Sequence, residues 1–157
     1  AYPILKKYDL SAIIFLISDF IGKKPEYLNW QEANEMLKNK ISFGAHTKIH
    51  AYLPELGKSE IIGEINGSKE QIEANINQKI LFFSYPTGGF SEEIKNIVSQ
   101  AGFKAACTTN RGFNKKNQDI FELKRIKVTD KDGDNLLKFR AKLSGYYNIF
   151  RSFKNPS

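Results

Sequence analysis

Ile41-Ser42-Phe43-Gly44-Ala45-His46-Thr47-Lys48-Ile49-His50 is the stretch that decides how this chain folds. Its first half is a short, β-prone apolar run. Its second half carries the only two histidines of the protein, four residues apart. Two imidazoles placed at i and i+4 just after a strand can point at one divalent ion, because imidazole nitrogen is a good ligand for zinc and related metals. Alone, the spacing is a weak sign, since H-x-x-x-H more often holds one surface and one core histidine. The intervening Thr47, Lys48 and Ile49 include no glutamate, which excludes the H-E-x-x-H and H-x-x-E-H metalloproteases.

Outward from this stretch, short apolar runs alternate with helical patterns. Strands are expected over 12–17, 41–46, 80–84 and 103–108, with an extended segment at 121–128. Asn29-Trp30-Gln31-Glu32 has the spacing of a capping box and predicts a helix to about Asn39. Ser59 begins a second helix with Ile61, Ile62, Ile65, Ile72 and Ile76 on a drifting apolar face, interrupted at Gly67. Ser91 caps a third over Glu92 to Ala101, with Gly102 at its end. A fourth is expected from Asp134 to Leu143. Strand–helix–strand repetition without hairpin signals predicts a parallel sheet, and both an open doubly wound sheet and a barrel fit it. In either, chemistry belongs at the C-terminal ends of the strands. His46 and His50 follow one such strand and Tyr85-Pro86-Thr87-Gly88-Gly89 follows another, so two candidate sites fall on one rim.

At 157 residues the chain is expected to form one domain, 1–157, with 41% hydrophobic residues for its core. The longest apolar run, Ala12 to Ile17, is too short to span a bilayer. Ala1-Tyr2-Pro3 leads straight into a lysine-containing segment without the pattern of a signal peptide, and with no initiating Met the chain reads as a mature or trimmed product. The single Cys107 allows no disulfide within the chain and reads as an inert core residue rather than a nucleophile. A formal charge of +7 predicts attraction to polyanions. The basic residues cluster at Lys6-Lys7, Lys23-Lys24, Lys115-Lys116 and from Lys138 to Lys154, without the basic-aromatic motif of a nucleic-acid module. An anionic cell-surface polymer is therefore the expected partner, and nucleic acid is not.

His46-Thr47-Lys48-Ile49-His50 resembles the H-[ST]-x-x-H metal motif of the NodB-homology polysaccharide deacetylases, carbohydrate esterase family 4. Four further stretches agree in order. Ile4 to Tyr8 followed by Ser11 to Phe15 resembles the family's "LKKY…ATFF" helix–strand pair, and Phe83 to Phe90 its "F-x-x-P-x-G" loop. Ala101 to Ala106 resembles "AGY-x-x-A". Leu123-Lys124-Arg125-Ile126 resembles an "L-x-R-I" segment of members acting on exported poly-N-acetylglucosamine. The resemblance spans roughly residues 1–128 and implies a deformed (β/α)7 barrel that removes N-acetyl groups from an N-acetylglucosamine-containing polysaccharide, in an extracytoplasmic or cell-surface setting. It implies a divalent metal, zinc foremost, on His46 and His50. Thr47 would brace or cap the turn between them. Thr87 would offer a main-chain N–H to the oxyanion, Pro86 would fix the loop, and Tyr85 would line the sugar site with it.

The family's first motif, T-F-D-D-G, which supplies the catalytic base and third metal ligand from the first strand, has no counterpart in the sequence. The expectation is a barrel incomplete by N-terminal truncation, with a natural remnant as the competing reading. The family's loop arginine corresponds to Ser84. The general-acid histidine of "L-x-H" corresponds to Arg125, which cannot donate a proton in turnover but can hold a carboxylate. Asp19, just past strand 12–17, is a candidate substitute ligand. The alternative function is a non-catalytic glycan-binding domain that kept the fold.

Overall fold

The computed structural model describes residues 1–144 and shows an α/β fold built on five parallel strands. A short helix α1 (Tyr2–Lys7) leads into β1 (Ala12–Leu16), followed by α2 (Trp30–Leu37), β2 (Ile41–Ala45), α3 (Lys58–Ile76), β3 (Phe82–Ser84), α4 (Glu92–Gln100), β4 (Ala105–Arg111) and β5 (Leu123–Arg125). Two helices, α5 (Asp130–Gly133) and α6 (Leu136–Leu143), close the described chain. The expected cluster from Lys138 to Lys154 extends past these residues.

Strands lie in the order β1-β2-β3-β4-β5, each parallel to its neighbour. A doubly wound sheet reverses its strand order partway, whereas a barrel winds in one direction. The strictly consecutive order therefore matches the barrel alternative. One sheet face carries the core: Ile41, Phe43 and Ala45 of β2, Phe83 of β3 and Ala106 of β4 are buried with Ile61, Ile65, Ile72 and Ile76 of α3 and Ile94, Ile97 and Val98 of α4. On the other face Ile13 and Ser42 are exposed.

Local chemistry sets the helix starts. Glu32 N–H donates to Asn29 Oδ1 at 2.9 Å and Asn29 N–H donates to Glu32 Oε2 at 2.8 Å, the expected capping box. Ser91 Oγ caps α4 by accepting from Ile94 N–H at 3.3 Å.

The structure corrects several boundaries. Helix α3 runs unbroken through Gly67. Gly costs about 1 kcal/mol in a helix, while burial of each isoleucine on its inner face contributes about 1.5–3 kcal/mol, so packing wins. The expected fourth helix is two helices, because the Thr129–Asp132 box starts α5 early and Asn135 caps α6 afresh through Lys138 N–H. The extended segment at 121–128 keeps only three residues in the sheet, and the 103–108 strand starts and ends later. Lys95 of α4 sits amid Glu92, Asp119 and Glu122 and ties the β4–β5 connection to the helical layer.

Candidate functional site

His46 is placed by the sheet itself. Its N–H donates to Leu16 O at 2.9 Å, extending the β1–β2 ladder one residue past β2. Beyond it the chain leaves the sheet through a strained loop, with φ of 63° at Thr47 and 65° at His50. Non-glycine residues adopt such left-handed angles only when their surroundings hold them there.

The surroundings here are specific. Ser18 N–H donates to Thr47 O at 3.2 Å and Asp19 N–H to Lys48 O at 3.0 Å, tying the loop to the end of β1. From α3, Glu64 Oε2 accepts from Lys48 N–H at 2.9 Å and Ile49 N–H at 3.2 Å, the two peptides midway between the histidines. Gln71, two turns along, holds Ser18: it accepts from Ser18 Oγ at 2.9 Å and donates to Ser18 O at 3.2 Å. The Lys48 stem crosses α3 where Gly67 has no side chain. One helix thus fixes both strand-end loops, and the two imidazoles meet with centroids 4.7 Å apart and planes at 78°.

His46 Nδ1 lies 2.6 Å from Ser84 O. A carbonyl can only accept, so the neutral ring carries its proton on Nδ1 and keeps a lone pair on Nε2. That is how metal-ligating histidines are commonly oriented, with the non-ligating nitrogen donating to a carbonyl or carboxylate. Burial pushes the His46 pKa below its ordinary value, against the opposing pull of the Ser84 carbonyl, and the nearby His50 and Arg125 lower it further. The ring is therefore neutral, as a ligand must be. The pair fits a divalent ion as two members of a ligand set. Among the described residues no third His, Cys, Asp or Glu converges on it.

The loop after β3 forms the facing wall. Thr87 is exposed with φ 52°, and its hydroxyl is spent on Pro86 O at 2.8 Å, so what it can present to a ligand is main chain. Thr109 Oγ1 donates to Thr87 O at 3.3 Å. Gly88 lies so close to β4 that a Cβ there would stand 1.9 Å from Thr109 Oγ1, and its φ of 84° also requires glycine. At the end of β5 Arg125 donates from Nε to Thr108 O at 2.7 Å, and its charge is felt at both His46 and Cys107.

Several expected placements are corrected. Tyr85 does not line an open site: it is fully buried, stacked on Phe90 at 5.2 Å and edge-on to Phe83 at 5.4 Å. Its hydroxyl has no partner among the described residues, and burial raises its pKa far above the ordinary tyrosine value. Pro86 is buried too, so it shapes the loop and offers no open face to a sugar. The Thr47 hydroxyl neither braces nor caps; it is buried without a partner among the described residues, as is Ser84 Oγ. Asp19 does not join the histidines, and its carboxylate faces the Lys48 ammonium at 4.0 Å. Burial raises the Cys107 pKa and so favours the protonated thiol, against the lowering pull of Arg125.

Two side chains not singled out from sequence belong to this rim. Glu64 orders the histidine loop. Tyr52, 44% exposed, lies against Gly89 between the two loops, and its position two residues after the second histidine was the available signal.

The sequence profile of the polysaccharide deacetylase family matches residues 1–106. YxkH of Bacillus subtilis strain 168, named as a polysaccharide deacetylase, is 33% identical over 129 residues, covering 82% of this chain and 46% of that protein. The poly-β-1,6-N-acetyl-D-glucosamine N-deacetylase of Staphylococcus aureus strain MRSA252 is 26% identical over 151 residues, covering 88% and 52%. The chain thus spans about half the length of these curated relatives. Among solved structures, Streptococcus pyogenes deacetylase PplD in complex with acetate superposes with a TM-score of 0.81 at 28% identity, covering 87% of this chain and 62% of PplD. BA3943 of Bacillus anthracis, described as a pseudoenzyme of carbohydrate esterase family 4, superposes at 0.60 with 27% identity, covering 67% and 36%.

Proposed function

Because the chain belongs to the polysaccharide deacetylase family, we propose that its rim serves the metal-dependent removal of N-acetyl groups from an N-acetylglucosamine-containing polysaccharide outside the cytoplasm. The observation that carries the reading is the His46 imidazole, fixed through Nδ1 on Ser84 O and set 4.7 Å from His50. These two residues would hold the ion, zinc by the preference of imidazole donors. When bound there, the metal supplies Lewis acidity toward the acetamide carbonyl and lowers the pKa of a coordinated water.

The chain's own residues do the rest. Ser84 O sets the His46 tautomer. Glu64 holds the strained loop that aims His50. The main chain of Thr87 faces the developing oxyanion, where a fixed N–H donor strengthens as charge builds. Arg125 places a permanent cation beside His46 that can hold a carboxylate but not deliver a proton. Exposed Tyr52 offers an aromatic face to a sugar ring. Among the described residues no third His, Cys, Asp or Glu joins the pair.

The test pairs two readings on one sample: zinc bound per chain after dialysis, and acetate released from an N-acetylglucosamine oligomer. Replacing His46 by Ala should abolish both. Retention of zinc and of acetate release by His46→Ala and His50→Ala would overturn the proposal. Saturable glycan binding without acetate release would instead favour a non-catalytic glycan-binding role, to which the kinship with a protein described as a pseudoenzyme lends weight.

A further inference from the structure

A groove of about 620 Å³ opens at the β4–β5 end of the rim, lined by Thr109, Arg111, Arg125, Ile126, Lys127 and Val128. Its volume lies in the range of sites that take small ligands. Two of its walls belong to the rim already described: Thr109 is bonded to the Thr87 carbonyl, and the Arg125 charge reaches His46.

The groove holds three cations, Arg111, Arg125 and Lys127. Arg111 and Arg125 are direct register partners across β4 and β5. Like charges facing each other across a sheet destabilise it. Lys127 follows on the same groove wall. Among the described residues none of these three has a carboxylate within ion-pair distance, whereas Lys58, Lys69 and Lys142 each have one and Lys95 has three. Arg125 is also held in place, since Nε donates to Thr108 O, and its remaining donors are left for a ligand.

A juxtaposition of cations that the fold itself does not compensate fits an anionic ligand, and guanidinium forks suit carboxylate or phosphate oxygens. We propose that this groove binds an anionic group, a carboxylate or a phosphodiester, borne by the polymer next to the sugar whose acetamide faces His46 and His50. The substrate is on this account an acidic glycan. The inference rests on the deacetylase reading for the identity of the polymer, but the binding it predicts requires neither metal nor turnover.

The experiment uses the isotopically labelled full chain and three N-acetylglucosamine oligomers of equal length: neutral, carboxylated at C6, and carrying a phosphodiester. Affinity and amide shifts are followed at low and high salt, and acetate release is measured in parallel. At least one charged oligomer should bind at least about tenfold more tightly than the neutral one, the scale of a hydrogen bond to a charged group. Its shifts should centre on residues 109–111 and 125–128, and added salt should weaken it. The preference between carboxylate and phosphodiester identifies the source of the anion.

Arg111→Gln combined with Lys127→Gln should reduce the charged oligomer to the affinity of the neutral one. Lys115→Gln with Lys116→Gln, a basic pair outside the groove, should not. Equal binding of all three oligomers, or equal loss in both double variants, overturns the groove. Acetate release without charge preference would sink the groove and leave the deacetylase reading standing. Charge-selective binding without acetate release would do the reverse.

Discussion

Replacing Glu64 by Ala removes the carboxylate that accepts from both peptides midway between the two histidines. Hydrogen bonds to charged groups contribute about 1.5–3 kcal/mol each. With contacts at 2.9 and 3.2 Å from a half-buried carboxylate, the lower figure is apt, so the pair contributes about 3 kcal/mol. Against it stand two left-handed residues, Thr47 and His50, at roughly 1 kcal/mol each. The clamp thus exceeds the strain by about 1 kcal/mol, and its removal leaves the loop held only by the donors of Ser18 and Asp19. The loop should then relax while the core, which Glu64 does not enter, stays folded. Hydrogen exchange at the Lys48 and Ile49 amides in metal-free protein should accelerate at least about tenfold, and zinc affinity should fall by a similar factor, about 1.4 kcal/mol. Glu64→Gln keeps an acceptor oxygen and should recover much of both. Unchanged exchange at these amides together with unchanged zinc affinity in Glu64→Ala would refute this reasoning.

Three other outcomes are expected. Thr47→Val replaces an unpartnered buried hydroxyl by a methyl of the same shape and should raise stability by about 1 kcal/mol; a lower melting temperature would reveal a partner for the hydroxyl. Gly88→Ala should cost about 2–4 kcal/mol through its positive φ and the clash with Thr109, and adding Thr109→Ala should recover part of that in a double-mutant cycle. Because the folded-state pKa of His46 is depressed, the unfolded chain binds the extra proton first. Stability should be fully present above the ordinary histidine value near 6.5 and decline as pH falls through it. Thermal melts in chelator between about pH 5 and 8 should show this slope, and His46→Asn should flatten it.

What could be read from the sequence is what local pattern encodes. The β2 run and its histidines were legible because apolar alternation and ligand spacing are both short-range, and Asn29 and Ser91 because a cap lies within three residues of its partner. Glu64 was not, since its partners lie 15 and 16 residues away and meet it only through the packing of α3. Gly67 misled for the complementary reason: local propensity argued for a break that long-range burial overrode. The misplacement of Tyr85 was avoidable. Phe83 and Tyr85 are two apart and share one strand face, so a core Phe83 already implied a core Tyr85.

That Ser84 carbonyl has a consequence for how the molecule can change over generations. It belongs to the strand end from which the Pro86–Gly89 turn springs, yet it dictates which nitrogen of His46 is protonated. An inserted or deleted residue in this turn would shift the carbonyl and disarm a histidine nearly forty positions earlier in the chain. Length variation should therefore collect at the tip of the β4–β5 connection, beyond the Asn114–Lys124 hydrogen-bond pair, while the turn after β3 stays fixed in length.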